Sequence, residues 1–136
     1  GSEEAGSVAS YPYVEQGIQK MLEEVPKEKV INAVPFFTRF WKTDVEGSVT
    51  SEAIGMDEED VKVQNNNAEK VWNETCKQYY VEFDYDGSTY QMWMEEENSI
   101  EEKMKLIKQY DLAGVSSWRL GYERSSIWDV ILKYVN

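Results

Sequence analysis

The chain has 136 residues, 26 acids against 14 bases and no histidine, for a net charge of −12. That length suits one domain with its own core, and the acidic balance argues against nucleic acid or an anionic membrane as partner, since phosphate-rich surfaces are held by clustered Lys and Arg. Without histidine, Ser-His-Asp and Cys-His arrangements cannot form within the chain, and histidine zinc sites are excluded with them.

Cys76 is the single cysteine, so no intrachain disulfide forms, and its expected role is a buried spectator. No apolar run approaches the ~20 residues of a membrane span, and no signal peptide is expected at the start. No cofactor and no metal ion is expected. Aromatic residues reach 13%, with five Trp and nine Tyr, enough to fill a core and also to line a groove.

Residues 1–10 are small and polar and read as a loop. Val14, Ile18, Met21, Leu22 and Val25 then recur at helical spacing until Pro26, which predicts a helix from Tyr13 to Val25 with those side chains inward. From Lys29 to Phe37 the near-continuous apolar run of Val30, Ile31, Ala33, Val34 and Phe36 predicts a buried strand, with hydrogen bonding loosened at Pro35. Lys42 to Asn67 is polar and acidic, carries Gly47 and Gly55, and reads as an excursion from the core.

Gln78 to Tyr85 and Ser88 to Met94 alternate like strands and meet at Asp86-Gly87, a strong hairpin signal. Glu96 to Tyr110 reads as a helix capped by Asn98 or Ser99, with Ile100, Met104 and Ile107 on one face. Leu112 to Trp118 predicts a second buried strand, and Ser125 to Tyr134 a final amphipathic helix carrying Ile127, Trp128, Val130 and Ile131. Both buried strands follow a helix and deliver aromatic and cationic side chains at their carboxyl ends, the edge where parallel α/β folds gather ligand chemistry.

Four segments in order, VASYPYVEQGI (8–18), PKEKVINAVPFFTRFW (26–41), YQMWMEEENS (90–99) and GVSSWRLGYERSSIWDVI (114–131), give the chain a more specific likeness. It resembles the C-terminal part of the family 18 glycoside hydrolases, the chitinase-like superfamily, in its bacterial spore and cell-wall-lytic branch. The resemblance implies an α/β fold: the C-terminal portion of a (β/α)8 TIM barrel, its last two strands with flanking helices, carrying a small α+β insertion with a β-hairpin. Residues 1–136 would be a partial glycosidase barrel, with 42–94 an insertion subdomain between the two barrel strands. Two strands cannot close a barrel, so a larger enzyme with open strand edges in this piece is expected.

Members of that family cleave β-1,4 linkages beside an N-acetylhexosamine by substrate-assisted retention, an exception to the two-carboxylate scheme. Their acid stands in a DxxDxDxE motif on the fourth barrel strand, which this chain is expected to follow. Asp57 to Gln64 (DEEDVKVQ) imitates the first half of that motif, but Lys62 and Gln64 replace its third Asp and its Glu. Neither can hold the acetamide or deliver an acidic proton, so the segment reads as an acidic helix or loop of the excursion, and no catalytic residue is assigned.

The resemblance implies substrate-binding positions instead. Trp118 matches the eighth-strand Trp that floors the sugar at the cleavage point, and a pyranose C–H face suits an indole. Phe37 and Arg39 fall where the family shows a Tyr and often an Arg. Phe37 lacks the hydroxyl, and Arg39 fits either a sugar or cleft carboxylate contact or a loop-bracing role. Trp93, Glu95 and Glu96 occupy an aromatic-acidic run that suits rim contacts or, for the acids, capping and solvation of the following helix. Trp41, Trp72 and Trp128 read as packing residues, the Asn73-Glu74-Thr75 sequon as chance, and Glu123 stays open.

Two function classes follow: a glycosidase of N-acetylhexosamine polymers, peptidoglycan or chitin-like, to which this chain supplies part of the cleft, or a non-catalytic carbohydrate- or wall-binding relative. The expected partners are that polymer and the remaining N-terminal part of the barrel or a second copy of the chain. The expected setting is the exterior, envelope or spore of a bacterium.

Overall fold

A computed structural model describes residues 4–118 and 123–134, with backbone alone at 31–33 and 115–118. In chain order the elements are α1 (Tyr11–Glu24), β1 (Ile31–Pro35), β2 (Phe37–Thr43), β3 (Val49–Gly55), α2 (Met56–Asn65), β4 (Val71–Asn73), β5 (Gln78–Tyr85), β6 (Ser88–Trp93), α3 (Glu97–Gln109), β7 (Gly114–Trp118) and α4 (Ser126–Leu132).

They build two sheets. β1 and β7 pair in parallel, Ile31 opposite Gly114 and Pro35 opposite Trp118. The other five strands form an antiparallel sheet in the order β3-β2-β6-β5-β4. Val34 and Phe36 carry the parallel pair into a core with Ile100, Met104 and Ile107 of α3 and Ile127 and Ile131 of α4. The apolar run at the end of the first buried strand therefore feeds the interior between sheet and helices, as a strand covered by helices requires.

The antiparallel sheet starts earlier than the composition suggests. The sequence reads one strand to Phe37 and an excursion from Lys42, yet β2 begins at Phe37 and only Phe36 separates it from β1. Pro35 has no N–H to give to a ladder, and at that point the chain leaves one sheet for the other. Inside the stretch read as polar excursion, β3 pairs with β2 over its full length, Phe37 opposite Gly55 and Thr43 opposite Val49, and α2 follows directly. Its charge concealed strand periodicity because one face of β3 is solvated.

Three helix details also differ. α1 begins at Tyr11 with Pro12 in its first turn, where a missing N–H costs nothing. Val14 and Ile18 are buried with Leu106 of α3, whereas Met21 is 50% exposed. The contact is a narrow i, i+4, i+8 stripe through Leu22, and Met21 lies off it. The cap of α3 is Glu96: its carboxylate accepts from the N–H groups of Asn98 and Ser99, both at 3.1 Å, while the Ser99 hydroxyl accepts from the Glu96 N–H at 2.9 Å. This is a capping box with acid and hydroxyl exchanged.

The β5–β6 hairpin turns at Asp86 (φ 51°) and Gly87 (φ 81°). Positive φ at both central residues is the condition of the type I′ turn that Asp-Gly favours. A Cβ on Gly87 would also stand 2.9 Å from Val45 Cγ1. Gly87→Ala is therefore expected to lower unfolding free energy by about 1–2 kcal/mol in chemical denaturation; an unchanged midpoint would show that the turn relaxes without cost.

Candidate functional site

Alternation along β2 sends Phe37, Arg39 and Trp41 to one face of the antiparallel sheet and Thr38, Phe40 and Lys42 to the other. Trp41 pairs with Gln91, Tyr80 with Trp93 and Glu82 with Gln91, so these partners share the Arg39 face. The opposite face is closed by Phe40, Ile54, Val81, Met92 and Met94, with Val63 of α2 against them. One side of the sheet is thus core and the other is a wall of aromatic and hydrogen-bonding side chains.

On that wall Arg39 is exposed, and its Nη1 donates to Ser51 Oγ at 3.1 Å, a single contact that leaves most of the guanidinium's donors open. The half-buried Tyr80 and Trp93 rings meet with centroids 4.9 Å apart at 52°. Gln91 Nε2 donates to the Tyr80 hydroxyl at 2.8 Å, and that hydroxyl donates to Glu82. Burial first, then the bond to Glu82, pushes the Tyr80 phenol up from its usual value, so it stays a donor. Trp41 is nearly covered, its indole N–H donating to the Gly6 carbonyl at 3.0 Å, and it packs as expected.

Trp118 ends β7 directly opposite Pro35, so its backbone stands at the same carboxyl edge from which Phe36 and half-buried Phe37 depart. Its side chain lies outside the described residues. Phe37, Arg39 and Trp93 are brought together on the wall; Glu95 is not.

Glu95 is fully buried. Its carboxylate receives Lys103 Nζ at 2.5 and 2.7 Å, Ser99 Oγ at 2.9 Å and Gln78 Nε2 at 3.0 Å. The aromatic-acidic run suggested a rim, but the strand ends at Trp93 and the chain folds inward to start α3, which carries Glu95 from the surface into the interior. Burial pushes its carboxyl up while the ammonium beside it pulls down; contact of both oxygens with Nζ marks a charge pair.

Two features escaped sequence reading. Glu59, in the segment that imitates the acidic motif, is also fully buried. Its Oε1 accepts from the Glu95 N–H at 2.9 Å, and Oε2 has no hydrogen-bond partner among the described residues. Burial, then the charge of Glu95, holds its carboxyl well above 4.5. Arg124 is the second: Nε and Nη2 reach Glu97 at 2.6 and 2.9 Å, and Nη1 reaches Asp60. It clamps the segment after β7 to α3 and α2 at once. A lone Arg outside any periodic run carries no signal of its own, and the surface helix suggested by the acids hid Glu59.

Arg39, Tyr80, Gln91 and Trp93 offer donors and apolar ring surface on one face. Among the described residues the carboxyls pushed up are Glu59 and Glu95, and both are sealed inside. Neither can touch a glycosidic oxygen on the Arg39 face.

A parallel strand pair under helices, with an antiparallel sheet raised from its carboxyl edge, defines the chain as a portion of an α/β barrel. The sequence pattern of Glycosyl hydrolases family 18 matches residues 7–123, and the chain belongs to that family. It is 30% identical over 131 residues to a Bacillus subtilis protein named uncharacterized glycosylase YvbX, covering 96% of this chain and 38% of that protein. It is 26% identical over 113 residues to the cortical fragment-lytic enzyme of Bacillus subtilis, covering 82% of this chain and 26% of that enzyme.

Among solved structures, the Bacillus megaterium spore cortex-lytic enzyme SleL superposes with a TM-score of 0.89 at 20% identity, over 100% of this chain and 32% of that one. A Chromobacterium violaceum chitinase gives 0.88 at 21%, over 98% of this chain and 41% of the other. The fold is accordingly the C-terminal portion of a (β/α)8 barrel, its last two strands with flanking helices, carrying an α+β excursion. The chain spans well under half the length of the curated relatives it matches. No helix among the described residues is long and apolar enough to cross a membrane.

Two variants test the buried charges. The unfolded chain releases the Glu59 proton from about pH 4.5 upward while the folded one retains it, so this group makes stability fall as pH rises until the folded carboxyl ionises. Glu59→Gln mimics the protonated acid and is expected to flatten that decline, by about 1 kcal/mol per pH unit, in melts between pH 5 and 8; parallel curves would place an ionised carboxylate there. Lys103→Met strands the Glu95 charge and is expected to cost about 3–5 kcal/mol in denaturation, a loss that a concurrent Glu95→Gln relieves.

Proposed function

We propose that this chain forms the substrate-binding end of a glycoside hydrolase that cleaves N-acetylhexosamine polymers of the bacterial wall by substrate-assisted retention. The observation that carries the reading is the wall of Arg39, Tyr80, Gln91 and Trp93 standing beside the carboxyl edge of β1 and β7 in a family 18 chain. Trp118 lies under the sugar at the cleavage point, Phe37 extends that apolar floor, and Arg39 and Trp93 grip the glycan along the wall. Glu95 supports them from below through its pair with Lys103 and does not touch substrate. The antiparallel sheet acts as an insertion between the two barrel strands, the subdomain expected at 42–94 with β2 added to it.

The polymer class follows the relatives: a cortical fragment-lytic enzyme and a spore cortex-lytic enzyme favour peptidoglycan over chitin and a spore or wall setting. The proton donor comes from residues outside this chain that complete the barrel against β1 and β7, each of which pairs only with the other among the described strands. A non-catalytic wall-binding relative would keep the same wall, and the sealed positions of Glu59 and Glu95 are the observation in its favour.

With a chromogenic N-acetylglucosamine oligomer, the 136-residue chain is expected to show binding without turnover. Arg39→Ala and Trp93→Ala should each weaken binding roughly tenfold, the loss of one good polar or aromatic contact of about 1–2 kcal/mol. Turnover by the chain would place an acid within it, and binding untouched by both substitutions would remove the wall from the site.

A further inference from the structure

The sheet has a second hollow, on the face turned away from Arg39. Between α2 and the β3–β2–β6 side of the sheet lies a cavity of about 380 Å³ lined by Phe40, Lys42, Thr50, Glu52, Lys62 and Tyr90, with Ser51 of the edge strand at its border. A smaller one of about 230 Å³ adjoins it and shares Phe40, Lys62 and Tyr90, extending past Phe83 to Tyr85, which is 64% exposed. The two make one elongated groove, and the larger half alone falls in the size class of small-ligand sites, ~300–1,000 Å³.

The chain carries a net charge of −12, and six of its basic groups, Lys27, Lys77, Lys103, Lys105, Arg124 and Lys133, have carboxylate partners; what marks this hollow is that two unpaired lysines line it together. Lys42 and Lys62 have no such partner among the described residues. Lys62 Nζ instead sits 4.8 Å from the centre of the Phe40 ring. A cation held by an aromatic face keeps its other sides free for an anion.

The floor is a run of rings, Phe40 against Tyr90 at 5.2 Å and Tyr90 against Phe83 at 5.3 Å, both near parallel. Thr50 and Glu52 lie on the exposed edge strand β3, opposite Lys42 and Phe40, and supply a hydroxyl and an acceptor. Two free ammonium groups call for a carboxylate, the apolar floor for C–H surface beside it, and Glu52 for a donor such as a hydroxyl or amide N–H.

We propose that this groove is a second carbohydrate site, separate from the Arg39 wall, that takes a hexosamine bearing a carboxylate. It rests on the glycan reading above and adds a physical reason for it: on a chain this acidic, an anionic polymer is favoured where two unpaired lysines converge over one apolar floor. The site holds the polymer on the back of the sheet while the wall holds the strand to be cut.

The test is NMR titration of the isotopically labelled 136-residue chain with N-acetylmuramic acid and, separately, with uncharged N-acetylglucosamine. The acid sugar is expected to shift the amides of Phe40, Thr50, Glu52, Lys62 and Tyr90, and the neutral sugar to leave them unmoved. Raising salt to about 0.5 M and the double change Lys42→Gln, Lys62→Gln should each weaken the acid sugar at least about fivefold, as exposed charge contacts do. Absence of those shifts, or equal shifts from both sugars, overturns the proposal. The glycan reading is judged separately, by whether the neutral oligomer moves the amides of Arg39 and Trp93.

Discussion

Where β6 gives way to α3, the chain buries a full positive and a full negative charge within 3 Å of each other, and the parts of the molecule meet there. Glu95 takes Lys103 from one turn of α3, Ser99 from its first turn and Gln78 from β5, while its own N–H is held by Glu59 of α2. Removing two ions from water costs several kcal/mol each, and the pair is tolerated because its hydrogen-bonding positions are filled. What it gives is a fixed angle: sheet, excursion helix and barrel helix share one polar joint in which a shifted element would leave a buried charge unmatched. Trp93 lies two residues before this joint, so the wall inherits its orientation from it.

The same joint explains the division of labour on the molecule. A carboxyl that keeps its proton is the group that a glycosidase needs, and among the described residues enclosure favours that state at Glu59, while Glu95 is held as the charged partner of Lys103. The enclosure that keeps the Glu59 proton also denies it to substrate. On the wall Glu82 faces solvent and receives the Tyr80 hydroxyl. The exposed aromatic and hydrogen-bonding face of the sheet and the enclosed carboxyl are therefore physically separated among the described residues.

Periodic signals carried most of the fold. The hairpin was legible because Asp86-Gly87 is nearly diagnostic of its turn, the two parallel strands because buried strands are apolar throughout, and α3 because Ile100, Met104 and Ile107 repeat at helical spacing. Phe37, Arg39 and Trp93 were legible as a group only through family likeness, since their shared face depends on strand register across non-adjacent segments. Charge misled wherever it was buried. Glu59, Glu95 and Lys103 look like solvated surface in one dimension, and what distinguishes them is a partner eight or more positions away, whereas the capping expected of the acids before α3 is found at Glu96. Strand β3 was hidden for the opposite reason, as its one buried end, Ile54 and Gly55, is too short to show a period.

The tie between the two sheets is the last constraint. A single residue, Phe36, joins β1 to β2, and its fully buried ring meets Trp128 of α4 edge-on at 5.4 Å. A connection that short, anchored in the core, leaves the wall no freedom to swing against the strand beneath it. Arg124, two residues before α4, has its fork on Glu97 and its remaining nitrogen on Asp60, and so ties the start of α4 to α3 and α2. Bidentate geometry resists rotation as well as separation. Phe36, packed with Ile100, Met104 and Ile107 of α3, and Arg124, forked on Glu97 of the same helix, are thus braced against one element, so the start of β2 and the start of α4 share a common support.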